Sequence, residues 1–122
     1  MTKERIALGR LGEDLARKRL KKLGYRILVT NYRCPLGEID LIASDGDTVV
    51  FVEIKTRRNA SKGQAKEAVN KRKQSQLSKS ALFYMKSNNL WDRKARFDVV
   101  AVELCDEKKE IEVIKDAFEL AY

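Results

Sequence analysis

Three charged residues, Asp40, Glu53 and Lys55, lie within two apolar segments that are close together in the sequence. Two carboxylates brought together in a folded site repel each other unless a positive charge offsets them. A hard divalent cation such as Mg²⁺ does so, accepting one or two carboxylates while keeping several waters. A lysine beside such an ion can position a water or stabilise an anionic transition state. These residue types therefore suit hydrolysis of a phosphodiester bond.

The two segments predict neighbouring β-strands. VVFVEIKTRR at 49–58 is dominated by β-branched and aromatic residues, and its alternation gives one apolar face and one face carrying Glu53 and Lys55. EIDLIAS at 38–44 predicts the partner strand, joined by a hairpin around Asp45-Gly46-Asp47.

The length of the hairpin loop decides whether Asp40 and Glu53 meet. A two-residue loop at 46–47 places them directly opposite each other, with Cβ atoms about 5 Å apart. A two-residue loop at 45–46 makes them diagonal neighbours on the same face, which a cation can still bridge. A three-residue loop sends them to opposite faces and removes the site.

A further acid, Glu13, interrupts the apolar row of a helix predicted at 4–23. An acid in such a row costs stability unless it has a partner, such as a metal-bound water or a lysine on the sheet. Gly9 and Gly12 each weaken a helix by about 1 kcal/mol relative to alanine, so we expect the sheet or a ligand to approach the backbone there. The full row expected to face the core is Ile6, Gly9, Glu13, Ala16, Leu20 and Leu23.

The remaining segments complete an α/β fold. Strands are predicted at 25–33, 96–104 and 110–114, and a second helix at 65–87. The element order is therefore αβββαββ, with one small mixed β-sheet flanked by helices in a single domain of residues 1–122. The apolar side of the second helix is expected to carry Ala65, Val69, Leu77, Ala81 and Tyr84.

Composition narrows the function classes. The 26 lysines and arginines exceed the 18 acids and give a net charge of +8, which favours a polyanionic partner and nucleic acid first. The chain has no histidine, which excludes histidine-based acid–base catalysis and catalytic triads. No apolar run approaches the roughly 20 residues of a membrane span and no signal peptide is evident, so we expect a cytoplasmic protein with no membrane partner.

Basic and polar residues near the hairpin and on the second helix are candidates for binding nucleic acid. Those after the hairpin strand could contact backbone phosphates. Lys73 and Gln76 fall near the apolar stripe of the second helix and could point towards the site. A solvated surface is the alternative for each of them. The candidates are Arg57, Arg58, Lys62, Lys73 and Gln76.

Four stretches of the chain carry a family resemblance. GEIDLIA followed by FVEIKTR resembles the Asp…Glu-x-Lys signature of the PD-(D/E)xK nuclease superfamily, with Ile39 where the signature has proline. With GRLGEDLA upstream and RFDVVAV downstream, the chain is similar over nearly its whole length to the YraN-like bacterial family, which is related to the Holliday-junction resolvases.

The resemblance implies a restriction-endonuclease-like fold and a metal-dependent endonuclease that hydrolyses phosphodiester bonds in DNA, with branched or flapped structures as the substrate class. It implies that Asp40, Glu53 and Glu13 hold Mg²⁺ or Mn²⁺ and that Lys55 is the catalytic lysine. DNA is favoured over RNA. Because resolvases that cut symmetric junctions act as two-fold dimers, a homodimer is also expected.

Other interpretations of the same residues stay open. Glu53 and Lys55 could form a surface ion pair, which contributes about 0–1 kcal/mol. Glu13 could pair with a nearby base, and Asp98 in RFDVV is expected to anchor Arg96 or another base structurally. For the whole protein, the rivals to a nuclease are a non-catalytic nucleic-acid-binding module that keeps the fold and an RNA-directed factor.

Overall fold

The computed structural model describes residues 2–58, 69–105 and 107–120. Its element order is the predicted αβββαββ, so the α/β fold class is confirmed. No helix in these ranges is long and apolar enough to cross a membrane. The elements are α1 (Lys3–Lys22), β1 (Arg26–Cys34), β2 (Gly37–Asp45), β3 (Thr48–Arg58), α2 (Lys71–Ser87), β4 (Ala95–Cys105) and β5 (Lys108–Phe118).

One mixed sheet in the order β1-β2-β3-β4-β5 joins all five strands. β3 and β4 are parallel and the other neighbours are antiparallel. Parallel neighbours need a crossover connection, and α2 lies in the segment that provides it. The apolar side chains of β3 alternate between two clusters: Val50 and Val52 pack with Leu20 of α1, and Phe51 packs with Leu77 of α2. The sheet therefore lies between two helical layers.

Two predicted boundaries differ from the structure by more than two residues and are wrong. α2 begins at Lys71, after Asn70, whose side chain accepts a hydrogen bond from the Lys73 amide and caps the helix. Residues 65–68 of the predicted helix lie outside the described residues. β5 extends to Phe118 rather than 114, because its pairing with β4 resumes after an irregularity near Asp116, where φ is +52°.

The buried row of α1 is shorter than predicted. Gly12, Ala16 and Leu20 are buried, whereas Ile6 and Leu23 are 41% and 50% exposed, so these two assignments are wrong. The contact with the sheet follows i, i+4 spacing from Gly12, and Leu23 lies past the last turn as the C-terminal cap. Glu13 therefore lies beside the row, half-buried, rather than within it.

A buried polar network joins Tyr25, β2, β4 and β5 on the α1 side of the sheet. The Asp98 carboxylate, fully buried, accepts hydrogen bonds from the Tyr25 hydroxyl at 2.7 Å and from Nε of Arg96 at 3.0 Å. It also accepts one from the Asp116 amide at 3.0 Å. Arg96 donates in turn to Asp45 at 2.7 Å. The expected Asp98–Arg96 pair is thus confirmed as the centre of a larger network.

Gly12→Ala should destabilise the protein by about 1–3 kcal/mol, the usual cost of overpacking. A Cβ at residue 12 would overlap Oγ1 of Thr56 and lie 2.7 Å from its Cβ, so α1 and β3 would have to separate. Urea unfolding of the variant and the parent measures the loss.

Gly9→Ala is the matched control, because a Cβ at Gly9 would meet no atom within 4 Å. It should gain up to about 1 kcal/mol from helix propensity. Equal effects of the two substitutions would contradict the close contact between Gly12 and Thr56.

Candidate functional site

The β2–β3 hairpin has the two-residue loop at 46–47. Asp45 pairs with Thr48 and Leu41 pairs with Val52, the register that sets residue 40 opposite residue 53. Gly46 has φ of +60°, a left-handed conformation that glycine adopts without strain. Of the three alternatives, this register brings the two acids closest together.

Asp40 lies where β2 and β3 separate. Regular pairing of the two strands ends at Leu41 and Val52, and Oδ2 of Asp40 accepts a hydrogen bond from the Ile54 amide at 2.8 Å. The side chain of Glu53 also hydrogen-bonds to Asp40. The two carboxyl groups therefore lie side by side where β2 and β3 separate, a point that we call the fork.

Glu53 is a buried acid with an unusual protonation. Its side chain is only 5% exposed, and burial followed by the hydrogen bond to Asp40 raises its pKa from 4.5 to about 8. Lys73 and Lys55 oppose this shift, and Nζ of Lys73 lies 3.5 Å from Oε2 of Glu53. In the absence of a further cation, the raised pKa favours a protonated Glu53 at neutral pH, hydrogen-bonded to Asp40.

Glu13 approaches the same fork from α1. It lines an open depression of about 560 Å³ together with Asp40 and Lys55. Burial, and then the charge of Asp40, raise the pKa of Glu13, whereas a hydrogen bond from Asn31 lowers it. Three of the predicted catalytic residues thus line one depression. The fourth, Glu53, does not line it but hydrogen-bonds to Asp40, which does.

Asn31 is a residue of the site that sequence analysis missed. It has φ of +53° within β1, and its side chain bonds to Glu13. Asparagine tolerates the left-handed conformation better than most residues. The asparagine at residue 31 was therefore the only sequence signal for a left-handed residue in β1. A single asparagine is also typical of turns, so it does not identify a site residue.

The predicted nucleic-acid-binding residues lie in different places. Nζ of Lys73 lies 3.5 Å from Oε2 of Glu53, and the side chain of Gln76 packs over Gly37. Arg57 is half-buried on β3, whereas Arg58 is exposed and lines a neighbouring depression. Lys62 lies outside the described residues. Nucleic-acid binding by this set stays a prediction.

The donor set at the fork fits a hard divalent cation. Asp40 and Glu53 offer carboxylate oxygens, and the hydrogen bond between the two side chains brings these oxygens to one place. Two carboxylates suffice for Mg²⁺, which keeps most of its waters. In residues 2–58, 69–105 and 107–120, no three acidic or thiol side chains are arranged to hold a metal ion, so Glu13 as a third ligand stays a prediction.

A larger cavity, of about 750 Å³, does not have the chemistry of the candidate site. It lies beside the N-terminal end of β4 and is lined mainly by apolar side chains, including Phe97, Phe118 and the 75%-exposed Trp91. Arg96, a half-buried base in its lining, already bonds to Asp98 and Asp45. The paired carboxylates at the fork are therefore the better candidate.

Glu53→Gln should stabilise the metal-free protein at pH 8 relative to the parent, by on the order of 2–4 kcal/mol. From the unfolded pKa of 4.5 to the folded pKa of about 8, the unfolded chain releases the Glu53 proton while the folded chain retains it. The contribution of Glu53 to stability therefore falls as pH rises through this window, and the loss is complete above pH 8. Urea unfolding in EDTA at pH 4.5, 6 and 8 measures the difference between variant and parent.

Glu38→Gln is the control, because it alters an exposed acid on β2 and leaves Glu53 in place. It should keep the pH dependence of the parent. A Glu53→Gln variant that follows the parent at all three pH values would show that Glu53 ionises normally in the folded protein.

Comparison with known proteins supports the motif resemblance. A model of the uncharacterised protein family UPF0102 matches residues 12–102, which include Glu13, Asp40, Glu53 and Lys55. A UPF0102 protein from Syntrophus aciditrophicus is 54% identical over 119 residues, covering 98% of this chain and 94% of its own. Relatives from Geotalea uraniireducens and Moorella thermoacetica are 51% and 46% identical, covering 95% and 97% of this chain and 92% and 100% of their own. The chain therefore belongs to the uncharacterised protein family UPF0102, the YraN family that its motifs resemble.

Proposed function

We propose that this protein is a metal-dependent endonuclease that hydrolyses phosphodiester bonds in DNA. The observation that carries the proposal is the hydrogen-bonded pair of Asp40 and Glu53 at the fork of β2 and β3, with Lys55 bordering the same depression. A buried acid that retains its proton beside a second carboxylate destabilises the metal-free protein at neutral pH. A function that needs a cation at this position accounts for it.

Each residue has a distinct task in the proposed reaction. Asp40 and Glu53 would hold Mg²⁺ or Mn²⁺, which supplies Lewis-acid stabilisation of the phosphoryl oxygens and lowers the pKa of a nearby water. Asp40 is fixed for this by the Ile54 amide. Lys55 positions the attacking water or offsets charge on the pentacovalent transition state. Glu13, which lines the depression, would accept a hydrogen bond from a water there.

The charge of the chain and the burial of its aromatic residues support a substrate class. The net charge of +8 favours a polyanion, and Tyr25, Phe51, Tyr84 and Phe97 are buried in the core rather than exposed as a base-stacking surface like those that bind single-stranded RNA. We therefore assign DNA recognised by its backbone and shape, with branched or flapped structures as the substrate class. A two-fold homodimer belongs to the same proposal.

Incubation of the purified protein with labelled junctions, flaps, plain duplex and RNA tests the proposal. We expect cleavage of branched or flapped DNA with Mg²⁺ or Mn²⁺ and none in EDTA. Cleavage that persists in EDTA would exclude the metal-dependent mechanism. Cleavage of RNA alone would move the protein to the RNA-directed class.

The alternative is a nucleic-acid-binding module that keeps the fold and cuts nothing. The position of Lys73 favours it, since an ammonium group 3.5 Å from Oε2 of Glu53 supplies some of the positive charge that a metal would. Binding to the same panel without cleavage in any metal would establish this alternative.

A further inference from the structure

We propose that Arg5 and Arg58 bind the backbone phosphate next to the one that is cut, and so hold a DNA strand in register across α1. This inference rests on the proposed function, because it takes the fork of β2 and β3 as the point of cleavage. It adds a binding site for a flanking nucleotide that includes Arg5, a residue that the sequence motifs do not mark.

Two depressions adjoin on the α1 side of the fork. The first contains Glu13, Asp40 and Lys55, and the second, of about 550 Å³, is lined by α1 and by Arg58 at the end of β3. Arg5 and Leu8 line both depressions. A strand whose phosphate lies at the fork therefore has a continuous open path over Arg5 to Arg58.

The two arginines along this path favour binding of an anion. Arg5 and Arg58 come from different elements, face the same open space, and form no ion pair with another residue of the described part of the chain. Glu4 lies in the same depression, but it belongs to the first turn of α1, where an acid interacts favourably with the helix dipole. Two guanidinium groups that face one space repel each other unless a ligand such as phosphate lies between them.

The floor of the second depression suits the rest of a nucleotide. It is formed by the aliphatic side chains of Ala7, Leu8 and Leu11, of which Leu11 is 39% exposed. The planar guanidinium group can hold a phosphate through two parallel hydrogen bonds. A sugar would then rest on the aliphatic floor. Such contacts fix register without reading base sequence.

Affinity for DNA, measured without metal, tests the site independently of cleavage. Arg5→Ala and Arg58→Ala should each weaken binding of a fluorescein-labelled flapped duplex about fivefold to tenfold in EDTA. Each should also lower the slope of log K against log[salt] by about 1, the effect of one lost phosphate contact. Arg5→Lys should keep the salt slope because it keeps the charge.

Arg10→Ala is the matched control, since Arg10 is exposed on the same helix and lines neither depression. It should bind within about twofold of the parent, and thermal melting should show all variants folded. The inference is supported if the parent binds DNA and only the Arg5 and Arg58 variants bind it more weakly. If the same result is obtained but no DNA is cut, the proposed function alone fails. Equal affinities for the Arg5, Arg58 and Arg10 variants overturn the inference while leaving cleavage by the parent intact. A parent that binds no DNA overturns both.

Discussion

Glu53→Gln and Lys55→Ala are each expected to lower the rate of DNA cleavage by about 10²–10³-fold while changing the affinity for DNA by less than about fivefold. Glu53→Gln removes a carboxylate from the pair that would hold the cation, and Lys55→Ala removes the positive group beside it. Neither residue lines the second depression, which contains Arg5 and Arg58. Single-turnover cleavage of a labelled flap, with binding measured in EDTA, separates the two quantities.

Thermal melting with added metal separates the roles of the two residues. Mn²⁺ should raise the melting temperature of the parent and of Lys55→Ala, since ligands that bind the folded state stabilise it. It should not raise that of Glu53→Gln. Exposed positions provide the controls, with Glu38→Gln for the acid and Lys79→Ala for the base. Variants that cut as fast as the parent would mean that a contaminating nuclease is responsible and that the site is wrongly assigned.

The strands and the meeting of the two acids could be predicted because they depend on short-range patterns. Alternation in VVFVEIKTRR determined which side chains share a face, and the observed clusters of Val50 with Val52 and of Phe51 follow it. The sequence limited the β2–β3 loop to a few alternatives, but Asp45-Gly46-Asp47 is compatible with both an Asp-Gly turn and a Gly-Asp turn. The choice between them depends on the left-handed conformation of Gly46, a property of the folded chain.

Other features of the structure depend on single residues, which the periodic pattern of apolar residues in a helix or strand does not reveal. Asn31 reaches Glu13 because one residue of β1 departs from strand geometry. Similarly, α2 begins at Lys71 rather than 65 because the cap at Asn70 decides the boundary. The apolar row of α1 was overextended at both ends, since spacing alone does not tell how many turns of a helix reach the sheet. Only Gly12, Ala16 and Leu20 are buried there.

Asp98→Ala is expected to destabilise the protein by on the order of 3–5 kcal/mol, the usual cost of removing one partner of a buried ion pair. Its carboxylate is fully buried and accepts hydrogen bonds from Tyr25, Arg96 and the Asp116 amide. Without it, the Asp116 amide and part of the Arg96 guanidinium lose an acceptor that occupies a fully buried position. Thermal melting should show a drop on the order of 15 °C.

The loss should exceed what the contacts of Asp98 alone suggest, because this carboxylate joins three parts of the chain that are distant in sequence. Tyr25 follows α1, Arg96 lies on β4 and bonds to Asp45 at the β2–β3 hairpin, and Asp116 lies on β5. Asp98→Asn keeps the shape and one acceptor oxygen, so it should recover part of the loss, whereas Asp92→Ala, at an exposed turn, should change stability by less than about 0.5 kcal/mol. If Asp98→Ala and Asp92→Ala had the same melting temperature, the polar network would not contribute to the stability of the fold. If instead Asp98→Ala kept its melting temperature but lost cleavage, Asp98 would belong to the functional site, and the assignment of chemistry to the fork alone would be wrong.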